Sequence, residues 1–80
     1  RDPQVWSALG RLRYDAGDLA AAEKAFARAA ALGDDGKLWF NLGVVRLRLD
    51  DEQGARDAFE RAARHPDVRA QAREQLEHLR

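Results

Sequence analysis

The sequence has no Cys, no Met, no Ile and no Thr, and its only Ser is Ser7. Without Cys there is no disulfide framework and no Cys-based zinc site. With a single hydroxyl nucleophile and no matched acid–base pair, an enzyme is not expected. An excess of charge of one sign is lacking too. Fourteen Lys and Arg balance fourteen Asp and Glu, leaving a formal net charge of zero. That removes the phosphate-neutralising surplus on which nucleic-acid binding depends. Acidic residues are mixed among the Arg along most of the chain, the pattern of a salt-laced solvent face. No apolar run approaches the roughly 20 residues that span a bilayer.

Ala and Arg are abundant instead, at sixteen and twelve of 80 residues. Their excess fits a GC-rich, bacterial coding bias and carries no chemistry. The chain begins with Arg1 rather than Met and reads as a piece of a longer protein. No signal peptide is visible, and cytoplasm and periplasm are equally compatible with the composition. A charged fraction of 35% would suit a disordered chain, but apolar residues recur at helical spacing.

The sequence also repeats itself at an offset of 33 residues. Trp6 falls on Trp39, Leu9 on Leu42, Gly10 on Gly43 and Arg13 on Arg46. Asp18, Ala22, Ala25 and Phe26 fall on Asp51, Ala55, Ala58 and Phe59, and Arg28-Ala29-Ala30 on Arg61-Ala62-Ala63. Ala matches are cheap here, whereas Trp, Gly and Phe are scarce.

Each repeat reads as two helices. Asp2-Pro3 is a start signal, followed by an apolar stripe at Val5, Trp6, Leu9 and Leu12. Gly17-Asp18 stops one helix and caps the next. The second helix is expected over about 19–32, with Ala22, Ala25, Phe26, Ala29 and Ala30 inward. Gly33-Asp34-Asp35-Gly36 is the clearest loop, too acidic to cradle phosphate. The next pair is expected over about 37–49 and 52–64. A fifth helix should start at Pro66, with Val68, Ala72, Leu76 and Leu79 on one stripe.

Trp6-Ser7-Ala8-Leu9-Gly10 and Trp39-Phe40-Asn41-Leu42-Gly43, with Ala22/Phe26/Ala29 and Ala55/Phe59/Ala62 downstream, resemble the tetratricopeptide repeat, a unit of about 34 residues. The resemblance covers about residues 3–68. It implies an all-α, right-handed helical repeat array: repeat 1 at about 3–35, repeat 2 at about 36–66 and a capping helix at about 66–79. Arg13 and Arg46 stand where the family often has an aromatic, and Asp50 replaces the turn glycine that Gly17 supplies. Gly10 and Gly43 sit in mid-helix, where Gly costs about 0.5–1 kcal/mol relative to Ala. Close helix approach would offset that cost, with Ala22, Ala29, Ala55 and Ala62 as the facing surfaces.

The resemblance further implies that the first helix of each pair lines a concave groove for a partner. Pointing away from the Trp-Leu-Gly face are Gln4, Ser7, Arg11, Tyr14 and Asp15, then Lys37, Phe40, Asn41, Val44, Leu47 and Arg48. Phe40, Val44 and Leu47 form an apolar strip that Arg11, Lys37 and Arg48 border. This suits an apolar or amphipathic protein segment carrying acidic groups. Alternatively, the last helix or further repeats cover the strip, and the module is a spacer, end-cap or self-association element. The carboxylate clamp of some family members is not intact: Asn41 matches its Asn, but Ser7 and Arg11 replace its Lys and other Asn. The two Trp read as core. His65 and His78 lack further ligands to complete a metal set. Asp57–Arg61 and Glu60–Arg64 are expected as surface pairs one turn apart. No cofactor is implied.

Overall fold

In the computed structural model, which describes residues 2–79, the chain is all-α. Five helices run in order: α1 (Pro3–Asp15), α2 (Leu19–Gly33), α3 (Gly36–Arg48), α4 (Glu52–Ala62) and α5 (Arg69–His78). Each packs on the next in sequence, as short connections between helices require. No strand occurs among the described residues.

Aspartate starts the first four helices. Asp2, Asp18, Asp35 and Asp51 accept hydrogen bonds from the amides of Gln4, Ala21, Lys37 and Gly54 at 2.8–3.1 Å. Each satisfies an amide that the helix itself leaves without a partner. The turns within the two helix pairs are alike. Gly17 has φ +84° and Asp50 φ +62°; Asp tolerates this left-handed region better than most residues. In both turns the next residue closes back on the Arg five positions earlier, Asp18 N to Arg13 O at 2.9 Å and Asp51 N to Arg46 O at 2.8 Å. The replacement of Gly by Asp50 therefore leaves the turn unchanged.

The mid-helix glycines do meet a close neighbour, but it is aromatic. A Cβ on Gly43 would lie 2.7 Å from Cε1 of Phe59, and one on Gly10 would lie 2.9 Å from Cδ1 of Phe26. The facing surface is thus the Phe ring, not the Ala residues expected there. Ala22, Ala29, Ala55 and Ala62 are nonetheless fully buried and let the helices approach. The main core gathers Ala22, Phe26, Ala29, Ala30, Leu38, Leu42, Val45 and Ala58.

Three expectations need correction. Val5 and Leu12 are 63% and 67% exposed, because α1 packs on α2 through the side bearing Trp6, Gly10 and Tyr14. Only Asp34 and Asp35 separate α2 from α3, since Gly33 ends one helix and Gly36 starts the other. The fifth helix starts at Arg69 rather than Pro66. Pro66 sits inside a turn in which Val68 N donates to His65 O at 3.2 Å, at the position where its fixed φ is favoured. Arg69 then binds the carbonyls of Ala63 and Arg64 at 2.8 and 3.3 Å, closing the end of α4. The α5 stripe does face inward, most fully at Val68 and Ala72 (7% and 0% exposed).

Gly43→Leu should destabilise the chain by at least about 1–3 kcal/mol, because the ring of Phe59 is fully buried and has no room to retreat. A thermal melt indistinguishable from the parent's would show that Gly43 is not at a constrained contact.

Candidate partner-binding cleft

α1 and α3 lie side by side along one face of the molecule, and a cleft of about 340 Å³ opens between them. Arg11, Tyr14 and Asp15 form its α1 wall, and Asn41, Val44 and Val45 its α3 wall, with the buried Phe26 of α2 beneath. The cleft is wide open to solvent, and its lining mixes apolar with polar groups. Arg11 and Asp15 are one turn apart on the same wall, so the cleft offers both signs of charge.

Of the expected groove residues, Arg11, Tyr14, Asn41 and Val44 line this cleft together. Gln4, Ser7 and Lys37 do not line it; they belong to the N-terminal turns of α1 and α3. Leu47 is half-buried outside it. Arg48 stands at its side, where Nη1 donates to the Tyr14 hydroxyl at 3.0 Å and the guanidinium lies 5.6 Å from the Tyr14 ring centroid. This Arg is engaged across α1 and α3 rather than offered as a free positive border.

Phe40 follows the alternative expectation, coverage by the last helix. It packs against the Ala62–Val68–Ala72 cluster formed by α4 and α5, and meets Phe59 edge-on at 5.3 Å and 62°. The last helix therefore covers part of the expected apolar strip, and Phe40 serves to seat it. Phe26 and Val45 were missed as cleft residues. Both are core positions by spacing and stay almost wholly buried, so they lie beneath the cleft rather than open to it.

A second polar cluster lies where the α2–α3 and α4–α5 connections meet. Asp34 Oδ1 accepts from Trp39 Nε1 at 3.0 Å and is 3.5 Å from His65 Nε2. The Arg61 guanidinium is 4.8 Å from the Trp39 ring centroid, and Arg28 stands 5.2 Å from Trp6 in the equivalent place. Both Trp are half-buried: their apolar faces meet the core while cations cover the other side. Arg61 is thus used on Trp39. The Asp57–Arg61 and Glu60–Arg64 pairs are not found among the described residues, whereas Arg46 pairs with Glu23 and a protonated His65 would pair with Asp34. The hydrogen bond from Trp39 holds the Asp34 carboxyl below its ordinary value of 3.8; His65 and Arg61 reinforce this against slight desolvation.

His78 Nδ1 lies 2.9 Å from the carbonyl oxygen of Glu74, and among the described residues no group of three or more His, Asp or Glu is placed to hold a metal. No helix of the described residues is long and apolar enough to cross a membrane. No family model matches this chain, and no curated protein is found to be similar to it.

Two outcomes follow from these placements. Phe40→Ala should lower the melting temperature, with a loss of up to about 3 kcal/mol for a partly buried aromatic; an unchanged melt would mean that Phe40 does not seat α5. Because the folded pKa of Asp34 is depressed, its ionised form stabilises the fold above pH 3.8. That contribution disappears as pH falls through the depressed value. Acid melts followed by Trp fluorescence should therefore show the parent losing stability relative to Asp34→Asn below pH 3.8. A parent-to-variant difference that stays constant with pH excludes the linkage.

Proposed function

We propose that the chain is a protein–protein interaction module, a tetratricopeptide-like right-handed array of two hairpins and a capping helix. In this reading the cleft between α1 and α3 holds a segment of a partner protein. The observation that carries it is the convergence of Arg11, Tyr14, Asn41 and Val44, drawn from two repeats, on one open cleft. The 33-residue repeat and its twice-used turn, glycine and aromatic contacts support the array. No catalytic step is assigned to any residue.

The cleft's chemistry defines the partner segment. Asn41 carries both an amide donor and an acceptor, suited to an extended main chain. Val44 accepts an apolar side chain, and Arg11 a carboxylate. The segment is therefore an apolar or amphipathic peptide with an acidic group.

The engagement of Phe40 with α5 favours a second reading, in which the chain is a spacer or end-cap with no ligand of its own. Selection from a displayed peptide library separates the two. The binding reading expects enriched peptides pairing an apolar residue with Asp or Glu, whose affinity falls at least about tenfold, or about 1.4 kcal/mol, for Arg11→Glu combined with Val44→Asp. Helicity should be retained in that variant. Selected peptides that bind the double variant equally well, or no enrichment at all, would favour the spacer.

A further inference from the structure

The two repeats use the same Trp–Arg pair and complete it differently. In the second, the Arg61 guanidinium lies 4.8 Å from the Trp39 ring centroid. The Trp39 indole N–H donates to Asp34 Oδ1 at 3.0 Å, and His65 Nε2 stands 3.5 Å from the same oxygen. The chain thus fills this place with a carboxylate of its own. In the first repeat the exposed Arg28 lies 5.2 Å from the centroid of the Trp6 ring. At the 33-residue offset, the counterpart of Asp34 is Arg1, a cation rather than a carboxylate. Among the described residues no acceptor meets the Trp6 indole N–H, and no carboxylate pairs with Arg28.

The positions around the pair diverge as well. Where the second repeat has Glu60, Arg64 and His65, the first has Ala27, Ala31 and Leu32. With Trp6 and Arg28, these three apolar residues line an open hollow of about 700 Å³ between α1 and α2. Leu32 is 49% exposed, and its counterpart His65 shows that the repeat folds with a polar residue at that position. An indole donor and a guanidinium beside an apolar floor select a carboxylate that adjoins an apolar group. The carboxylate takes a charge-assisted hydrogen bond from Arg28, and the apolar group removes Ala27, Ala31 and Leu32 from water. A hollow this open has too few walls to retain a small free acid. The occupant that the second repeat displays is instead an Asp side chain carried on a loop.

We propose that the hollow at Trp6 and Arg28 binds a segment of another protein in which an Asp side chain lies beside a large apolar residue. The Asp takes the place on Trp6 that Asp34 takes on Trp39, and the apolar side chain covers Leu32. The site shares no residue with the cleft between α1 and α3, so the two assignments stand or fall separately.

The test selects random displayed peptides on the Arg11→Glu, Val44→Asp variant, so that ligands of the α1–α3 cleft are not retained. Enriched peptides should pair Asp with a neighbouring large apolar residue. Synthesised with an amidated C-terminus, they should bind the parent and move the Trp6 indole N–H resonance downfield. That of Trp39, already bonded to Asp34, should stay in place. Arg28→Glu, Trp6→Phe and Asp→Asn in the peptide should each weaken binding at least about tenfold, the worth of a hydrogen bond to a charged group. Leu32→Ser should also lower affinity while leaving the thermal melt of the chain unchanged. Trp6→Phe keeps a ring in the core, and Arg28→Glu changes an exposed residue, so melts of both variants can verify that they fold. No enrichment, enriched peptides without Asp, binding that requires a free C-terminal carboxylate, or equal affinity for a folded Arg28→Glu variant would overturn the proposal. So would a parent that sediments as a dimer and becomes monomeric on Arg28→Glu, since the occupant would then be a second copy.

Discussion

The rings of Phe26 and Phe59 rest against helix backbone at Gly10 and Gly43, at distances that leave no room for a methyl group. The spacing of each helix pair follows from that contact. With the rings in place, the fully buried Ala22, Ala29, Ala55 and Ala62 can bring their helices close. A larger side chain at any of these points would force off-rotamer packing or a shifted helix. The contact occurs once per repeat, at Gly10–Phe26 and at Gly43–Phe59. α3 can then bury Leu38, Leu42 and Val45 against α2.

Around this core, charge is used locally. Four Asp residues cap helices, Arg28 and Arg61 cover the outer faces of the two Trp, and Arg69 closes the last carbonyls of α4. Arg46 links three helices, reaching Glu23 on α2 and the carbonyl of Gly54 on α4. Most of these are hydrogen bonds between a charge and nearby backbone, or cation–π contacts with a ring, which depend less on bulk salt than exposed ion pairs do. The balanced composition therefore records many short-range tasks.

The same geometry leaves two surfaces with different chemistry. Between α1 and α3 the repeat offset sets two helices side by side, and a cleft with mixed charge and an apolar floor results. Beside Trp6 and Arg28, the carboxylate that completes the equivalent pair at Trp39 is missing. The first surface offers main-chain and side-chain hydrogen bonding to a peptide. The second joins an indole and a guanidinium to an apolar floor. At the opposite end α5 closes the stack, its Val68 and Ala72 turned inward and its charged residues outward.

Much of this was legible in the residues. The 33-residue offset, the Asp caps and the spacing of Ala and Phe each depend on local periodicity, which a single chain displays openly. They placed the first four helices to within a few residues, along with the inward faces of α2 and α4. Helical spacing turned Arg11, Tyr14, Asn41 and Val44 away from the Trp-Leu-Gly side of their own helices, and the family resemblance implied that the two helices share a groove. The fates of Phe40, Val5, Leu12 and Arg48 were decided elsewhere. Phe40 is half-buried because α5 arrives against it, and Val5 and Leu12 are exposed because no helix does. Arg48 is held by a Tyr 34 positions away. Periodicity says which way a side chain points along its own helix. Whether another element meets it there is a matter of three-dimensional neighbours, and only the tertiary structure supplies those.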